Sequence, residues 1–441
     1  MLLPYSNEAN NFSSLLPNCE WSFKEAKRSE TNYISHGYHR YPAKFIPQLV
    51  NRLILEYTGP GDLVLDPFGG CGTTLVEAKV LGRRSLGFDI NPVAKLITDT
   101  KTAPINPVTL RNTLDQFTLD LGKAEANSTA EHSERTKYWF SQEIINELDG
   151  LYKCILKIKS HKVRRFYICG FSHILKNCSR WLMKSIKPQV DPLKKSPEVY
   201  STFISHIHQM MSKNEDFYQI LKNSGNLNIT AKMKLRDSTK KFPLADGSVD
   251  MIVTSPPYVT SYEYADLHQL ILLWLGDDPV KYPQWSKYAQ EYQAFRKKFV
   301  GTKVGDVEEK TDEFLGVYAT HIISQLPKNR KYAKSVSKYF SSMNKSFTEM
   351  YRVIKPGGRV CIIIGNTTLA GVEVKNAEVT VEQMQDAGFI VYDVIKRELS
   401  NKMFTPCRDQ VNGRFTSTSS SQKTRAYEYE FIVLAKKPSK F

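Results

Sequence analysis

A β-strand that runs into two consecutive prolines has to stop there. Ser248-Val249-Asp250-Met251-Ile252-Val253 has the β-branched, apolar character of a buried strand, and it leads into Thr254-Ser255-Pro256-Pro257-Tyr258. Each proline lacks an N–H and fixes φ, so no ladder continues, and the residue before each is pushed to extended geometry. The product is a stiff turn at the carboxyl end of a strand, offering free carbonyls, one hydroxyl and one aromatic ring. In an open α/β sheet ligands bind at that end. An ordinary Pro-Pro loop fits these five residues equally well, so the rest of the chain has to decide.

A second strand end lies upstream. Asp62-Leu63-Val64-Leu65-Asp66 is a short apolar strand that runs into Pro67-Phe68-Gly69-Gly70-Cys71-Gly72-Thr73-Thr74 and then a helix through Leu75, Val76, Ala78 and Leu81. Arg84 to Asp89 forms the next strand, closing with Ile90, Asn91 and Pro92. This is one βαβ unit. A third strand is predicted within residues 227–233, ending near Asp237. Later elements are a helix over 266–275, a helix over 335–353, a strand over 359–364, a helix over 381–387, and strands over 389–395 and 428–435. The expected fold is α/β: a Rossmann-like sheet of seven strands, the last antiparallel, with helices on both faces.

Four regions follow. Residues 1–30 are polar and irregular and read as an arm. Residues 31–100 form one half of the core. In 101–226 helical apolar spacing dominates, with basic and aromatic residues interleaved, which reads as a mainly helical insertion. Residues 227–441 form the other half, with 276–330 a second insertion or long loop and 400–422 a Ser/Thr-rich loop.

The strand ends suggest chemistry. A strand, a glycine turn and a helix invite a nucleotide-like ligand, and no lysine follows the glycines as a Walker phosphate loop requires. A carboxylate at Asp66 would repel a pyrophosphate but suits a cation such as the amino group of S-adenosyl-L-methionine. Asp89 can accept both hydroxyls of a ribose, and Asp237 can accept from an adenine amino group. Singly, each Asp is more often a cap or turn residue; three at successive strand ends favour a site. The first and fourth strands of such a sheet flank its switch point, which sets Ser255 beside a ligand held at Gly70 and Gly72. The Ser255 hydroxyl and Pro256 carbonyl can accept hydrogen bonds from an exocyclic amine, and Tyr258 can stack on the base that carries it. Such a base must first leave the duplex.

The formal net charge of +16 points to a polyanionic partner, nucleic acid first. Seven scattered cysteines without a CxxC pair read as reduced thiols, with no zinc site; Cys407 reads as a loop thiol. No apolar run reaches the ~18 residues of a membrane span, and the first residues lack the basic and apolar regions of a signal peptide. The pair His206 and His208 is not a metal site, because i,i+2 residues do not share a helix face.

Asp66-Pro67-Phe68-Gly69-Gly70-Cys71-Gly72-Thr73-Thr74 together with Ser255-Pro256-Pro257-Tyr258 resembles the motif pair of DNA amino-methyltransferases of restriction–modification systems. The Ser-Pro-Pro-Tyr form resembles their cytosine-N4-specific branch. Tyr41-Pro42-Ala43-Lys44-Phe45 resembles the segment those enzymes place over the methionine end of S-adenosyl-L-methionine. Val353-Ile354-Lys355-Pro356-Gly357-Gly358 resembles their late helix–turn–strand. The resemblance covers 31–100 and 227–441. It implies catalytic roles for Ser255, Pro256, Pro257 and Tyr258. It implies cofactor contacts for Tyr41, Pro42, Lys44, Phe45, Asp66, Pro67, Phe68, Gly70, Gly72, Thr73, Thr74, Asp89, Ile90, Asp237 and Ser255. It further implies a monomer or weak dimer in a prokaryotic cytoplasm, associated with the nucleoid when on DNA, acting on double-stranded DNA with a flipped target base. A cognate restriction endonuclease would be a genetic partner. Two departures stand out: Cys71 replaces a common serine, and the cofactor half precedes the catalytic turn, whereas many cytosine-N4 enzymes are permuted the other way.

Three rival readings remain. Adenine-N6 enzymes usually carry Asp or Asn where Ser255 stands. tRNA guanine-N2 methyltransferases usually carry an RNA-binding N-terminal domain, and only about 30 residues precede the core here. A non-catalytic DNA-binding protein would not need Gly70, Gly72, Asp89 and Ser255 intact. Within the insertion, Arg164, Arg165, Lys184 and Lys187, with Trp139 and Trp181, are expected on a DNA-facing side; the alternative is that both tryptophans are helix core.

Overall fold

The computed structural model describes residues 12–42, 44–123, 131–259, 263–278, 280–302, 315–327, 330–399, 407–409, 415–416, 419–421, 423–425 and 428–439. Seven strands form one sheet: β1 (Leu63–Asp66), β2 (Arg84–Asp89), β3 (Ala231–Leu235), β4 (Val249–Thr254), β5 (Ile354–Ile364), β6 (Ile390–Glu398) and β7 (Tyr429–Lys436). Their spatial order is β3-β2-β1-β4-β5-β7-β6. Six strands run in the same direction, and β7, the last in sequence, wedges antiparallel between β5 and β6. The chain therefore reverses its direction of winding between β1 and β4, and the turns after both strands open on the same crevice.

Period-two alternation assigns each face. On one side Val64, Met251, Val253, Cys361, Ile363, Ile432 and Leu434 pack under α1 (Pro47–Tyr57), which buries Leu49, Val50, Leu53 and Ile54. Pro47 opens this helix, where its missing N–H is not needed. On the other side Leu65, Ile252, Val360, Ile362, Phe431 and Val433 share a core with the long helix over residues 330–353 and with the helix Asn376–Asp386. Both faces of the inner strands are thus covered, as parallel strands require.

The insertion is not a separate lobe. Helices α2 (Thr73–Val80) and α3 (Pro92–Lys101) belong to the sheet layer. The inserted α4 (Pro107–Gly122), α5 (Gln142–Lys157), α6 (His161–Cys178) and α7 (Val199–Asn223) then pack on α3 through Val93 and Ile97, and on α8 (Gln269–Gly276) through Leu270, Leu273 and Trp274. His132 locks this seam: its ring nitrogens lie 3.0 Å from Asp149 and 3.0 Å from Asp277. These partners outweigh burial and raise its pKa to about 9. Trp139 and Trp181 stack on each other, with centroids 5.3 Å apart, and are 5% and 1% exposed. The expectation that they face DNA is therefore corrected: they are helix core.

Other expectations need correction. Residues 12–30 are no free arm: Phe12 packs 5.9 Å from Phe431, and buried Trp21 lies under Arg52. Two isolated aromatics leave no period to read. The predicted long loop over 276–330 contains the helices Pro283–Gln290, Tyr292–Lys297 and Val317–Gln325. The predicted helix over 266–275 is broken at His268 into Tyr264–Leu267 and α8. β5 begins at Ile354, before the glycines, since Gly357 and Gly358 exchange backbone hydrogen bonds of 2.9 and 3.1 Å with Lys437. The helix predicted from residue 381 starts at Asn376, where the distant Asn366 side chain accepts from the Ala377 N–H at 2.9 Å. Most of 400–422 lies outside the described residues. Cys407 does not: it is buried on a short strand, Cys407–Asp409, rather than in a loop. Among the described residues no helix is long and apolar enough to cross a membrane.

Candidate active site

The glycine turn between β1 and α2 is built by crowding. Gly70 (φ 48°) and Gly72 (φ 77°) sit in the left-handed region. A Cβ on Gly72 would stand 2.5 Å from the Thr98 methyl of α3. The Thr98 hydroxyl donates to the Gly70 carbonyl at 3.0 Å. Gly69 N–H donates to Phe88 at 2.9 Å, and Gly70 N–H donates to Asp89 at 3.1 Å. The turn is thus tied to the end of β2 and to α3. These two backbone donors serve the fold.

The strand-end carboxylates divide into two kinds. Asp66 is 0% exposed, and both oxygens are engaged. One accepts from Thr254 at 2.6 Å and Phe68 N–H at 3.1 Å; the other accepts from Thr74 at 2.7 Å. Asp66 thereby fastens β1, β4 and α2 together and stands behind the pocket wall. Asp89 lies in that wall, taking Gly70 N–H on one oxygen and Asn91 N–H, at 2.8 Å, on the other. Burial pushes both carboxyls up to about 6, against the hydrogen bonds each accepts. Asp237 also lines the pocket. One of its oxygens is held by Thr239 at 2.9 and 2.7 Å.

One pocket gathers most of the expected residues. Tyr41, Lys44, Phe45, Pro67, Phe68 and Gly70 line it, as do Thr73, Asp89, Ile90, Asp237 and Ser255. Pro42, Asp66, Gly72 and Thr74 stand outside the lining. Thr74 is turned to Asp66, and Gly72 is turned to Thr98. Tyr41 forms the lid above the turn: a Cβ on Gly70 would meet its hydroxyl at 3.3 Å, and its ring stacks on Tyr264. Lys44 donates to Asn32 at 2.8 Å and to the His36 carbonyl at 3.2 Å, and burial lowers its pKa to about 8. Sequence reasoning missed Gly69, Cys71, Arg236, Ser238, Tyr264, Lys298, Phe299 and Val300 in the lining. Only Gly69 and Cys71 had a signal, inside the glycine motif itself. Lys298 to Val300 arrive from the second insertion, which shows no periodicity.

The Pro-Pro turn closes the remaining side. Ser255 and Pro257 line the pocket, with no hydrogen bond engaging Ser255 Oγ among the described residues. Pro256 is buried behind them. Tyr258 departs from expectation. It does not line the pocket; its hydroxyl donates to Glu430 of β7 at 2.9 Å, and a Cβ on Gly365 would lie 3.1 Å from its ring. Burial and Glu430 together keep this phenol protonated. Register explains Glu430: it pairs with Arg397 across β6 and β7, and the buried side chains lie 3.9 Å apart. The ring is thus clamped to the sheet and anchors the turn.

The four insertion cations separate. Arg164 and Arg165 stand in the first turn of α6, half-buried, and Arg164 contacts His161 at 3.2 Å. Lys184 and Lys187 are exposed in the loop beyond its other end. Among the described residues no cluster of His, Cys, Asp or Glu could hold a metal ion.

A family model described as DNA methylase matches residues 5–99 and 249–441. The unmatched middle contains the inserted helices. The chain is 28% identical over 368 residues to the Type II methyltransferase M.MvaI of Kocuria varians, covering 77% of this chain and 79% of that one. It is 23% identical over 419 residues to the Type II methyltransferase M.BsoBI of Geobacillus stearothermophilus, covering 82% and 80%. A shorter match, 36% identical over 76 residues, covers 17% of this chain and 24% of the DNA adenine methyltransferase YhdJ of Escherichia coli. Among solved structures, a putative DNA modification methylase of Thermus thermophilus complexed with S-adenosyl-L-methionine aligns with TM-score 0.19 and 14% identity, over 28% of this chain and 54% of that one.

Proposed function

The chain belongs to the DNA methylase family, and within it we propose that it methylates the exocyclic N4 amine of a cytosine flipped out of double-stranded DNA, with S-adenosyl-L-methionine as methyl donor. The observation that carries this reading is a single pocket bounded on one side by the glycine turn with Asp89 and Asp237, and on the other by Ser255 and Pro257. The donor set suits that cofactor. Asp89 retains acceptor capacity for ribose hydroxyls, and Asp237 has an oxygen beyond the one Thr239 holds, for an adenine amino group. Tyr41 and Phe45 supply apolar cover. The bound cofactor contributes an electrophilic methyl on sulfur.

The chain's own part is orientation. Ser255 Oγ and the Pro256 carbonyl accept the two amine protons, which turns the nitrogen lone pair out of the ring plane and towards the methyl. With S-adenosyl-L-methionine bound, its sulfur would keep the electron pair of the C–S bond as the amine takes the methyl, and the amine would release one proton to water. No strong base is needed, since the amine nitrogen that carries the methyl and still holds both protons is positively charged and gives one of them up readily to water. Asp66 acts indirectly, by fixing β4 to β1 through Thr254. As in the relatives named Type II methyltransferases, the product would protect host DNA from a cognate endonuclease.

Incubation with labelled cofactor and, in parallel reactions, plasmid DNA or tRNA, followed by nucleoside mass spectrometry, tests this. N4-methylcytosine is the expected product. N6-methyladenine would move the base assignment to the second reading, which the short match to YhdJ favours. Label in tRNA alone would remove DNA as substrate.

A further inference from the structure

The two ends of α6 carry positive charge in different ways. The helix has 18 residues, so its ends stand about 27 Å apart. At the first end, Arg164 leans on His161, and Lys162 donates to the Pro104 carbonyl. The other end runs into residues 179–198, which carry five cations (Arg180, Lys184, Lys187, Lys194, Lys195) against Asp191 and Glu198. Arg40 joins them from the N-terminal segment, donating to His173 at 3.3 Å and to Asn177. Lys176 donates to the Ser185 carbonyl at 2.8 Å, and Lys194 to the carbonyls of Lys176 and Trp181 at 2.7 and 2.9 Å.

Among the described residues no carboxylate lies within ion-pair distance of these cations. Arg40, Lys176 and Lys194 are half-buried, while Arg180, Lys184, Lys187 and Lys195 are exposed. Burial, with Arg40 adding to it, brings both Lys176 and Lys194 down to about 8, at Lys194 against the opposing pull of Cys178 and Asp191. The fold therefore gathers like charges, with Asp191 offsetting only part of the repulsion felt by Lys194. An anion would relieve it. The position matters as much as the charge: Arg40 is followed directly by Tyr41, the lid of the pocket.

We propose that the loop 179–198, together with Arg40 and Lys176, holds the sugar–phosphate backbone of the duplex beside the flipped nucleotide, and that the Arg164–Arg165 end of α6 does not touch DNA. This rests on the DNA-methylating reading above. A phosphate chain neutralises several cations at once and releases counterions, so binding through this loop is steeply salt-dependent.

The test uses the full chain, a duplex oligonucleotide taken from the plasmid region found methylated, and fluorescence anisotropy over a salt series. Lys184→Gln, Lys187→Gln and Lys195→Gln combined remove only exposed ammoniums, so folding is spared. The expected result is affinity lowered about tenfold or more at low salt, with the log–log salt slope reduced by about 2 to 3, near 0.9 per lost phosphate contact. S-adenosyl-L-methionine affinity should stay unchanged, and Arg164→Gln with Arg165→Gln should leave the slope as in the wild type. An unchanged slope in the triple variant overturns the proposal, as does an equal loss in the arginine pair. Failure of the underlying reading is scored separately: a wild type that places no methyl on DNA shows it in the product nucleosides, whatever the salt slope.

Discussion

Two pairs of strand ends face the same crevice and do different work. At the inner pair, β1 and β4, Asp66 accepts from Thr254, Thr74 and Phe68 N–H and is sealed from the pocket. At the outer pair, β2 and β3, Asp89 and Asp237 stand in the pocket wall and keep acceptor capacity facing it. Asp66 and Asp89 are the same residue type at the same place on adjacent strands, and both are pushed up to about 6 by burial. What separates them is the supply of hydroxyls. Threonines on α2 and β4 saturate the inner carboxylate, so it holds strands. The outer ones meet only backbone donors and one threonine, and remain able to hold a ligand.

Substitutions can break this contrast. Asp66→Ala leaves two buried hydroxyls and an N–H without their acceptor; we expect a stability loss of about 3 kcal/mol, read by urea unfolding. Gly72→Ala should cost about 2 kcal/mol, because a left-handed position is combined with a 2.5 Å approach to Thr98. Gly61→Ala, at φ 84° with nothing within 4 Å, should cost about 1 kcal/mol. Asp89→Ala should weaken S-adenosyl-L-methionine by about 30-fold in calorimetry, roughly 2 kcal/mol, and should cost about 1 kcal/mol of stability for the Gly70 and Asn91 N–H groups it leaves without an acceptor, well below the loss at Asp66. If Asp89→Ala unfolds as easily as Asp66→Ala, the division between holding strands and holding ligand fails.

Acidity sharpens the same contrast. A buried carboxyl with a raised pKa binds its proton more tightly folded than unfolded. Its burial therefore works against the fold above about pH 6, and that penalty fades as pH falls towards the ordinary 3.8. Cofactor affinity should move oppositely, falling as pH drops through about 6 and Asp89 loses its charge. Asp89→Asn should abolish that acid limb, and Asp66→Asn should retain it. A smaller effect than at Asp89 is expected at the clamp behind the turn. Tyr258→Phe should lower kcat about tenfold, with Glu430→Gln within about threefold because an amide oxygen still accepts from the phenol. A Glu430→Gln loss equal to that of Tyr258→Phe would show that charge, rather than the hydrogen bond, positions the ring.

The sheet was legible because its rules are local. Alternating apolar residues, a glycine turn and two prolines each announce themselves within a few positions. The pocket floor followed from those motifs. Its roof did not, since Tyr264 and Lys298 to Val300 are brought over the turn by packing with no sequence period. Tyr258 was assigned to a base because its partner Glu430 lies 172 residues downstream, fixed only by strand register. Trp139 and Trp181 show the limit from the other side: a basic and aromatic stretch does not tell core from interface until the partner ring, here one from a helix end and one from a bridged loop, is known. Arg164 and Lys184 differ for a like reason, as the charge of each is legible but not the end of α6 it occupies.

The strand order has a consequence for how the protein is made. β1 is bonded to β4 through the Leu63 N–H and the Asp250 carboxylate, 187 residues apart. At about 5–20 residues per second, a ribosome finishes β1 roughly 10–40 seconds before its inner neighbour exists. During that interval β1 and β2 have an open edge and no Ser-Pro-Pro-Tyr turn beside them. The inserted helices emerge in the gap, and their contacts are short in sequence, the kind that form quickly. They pack on α3 through Val93 and Ile97, and so are placed to cover that helix while the sheet is still half built.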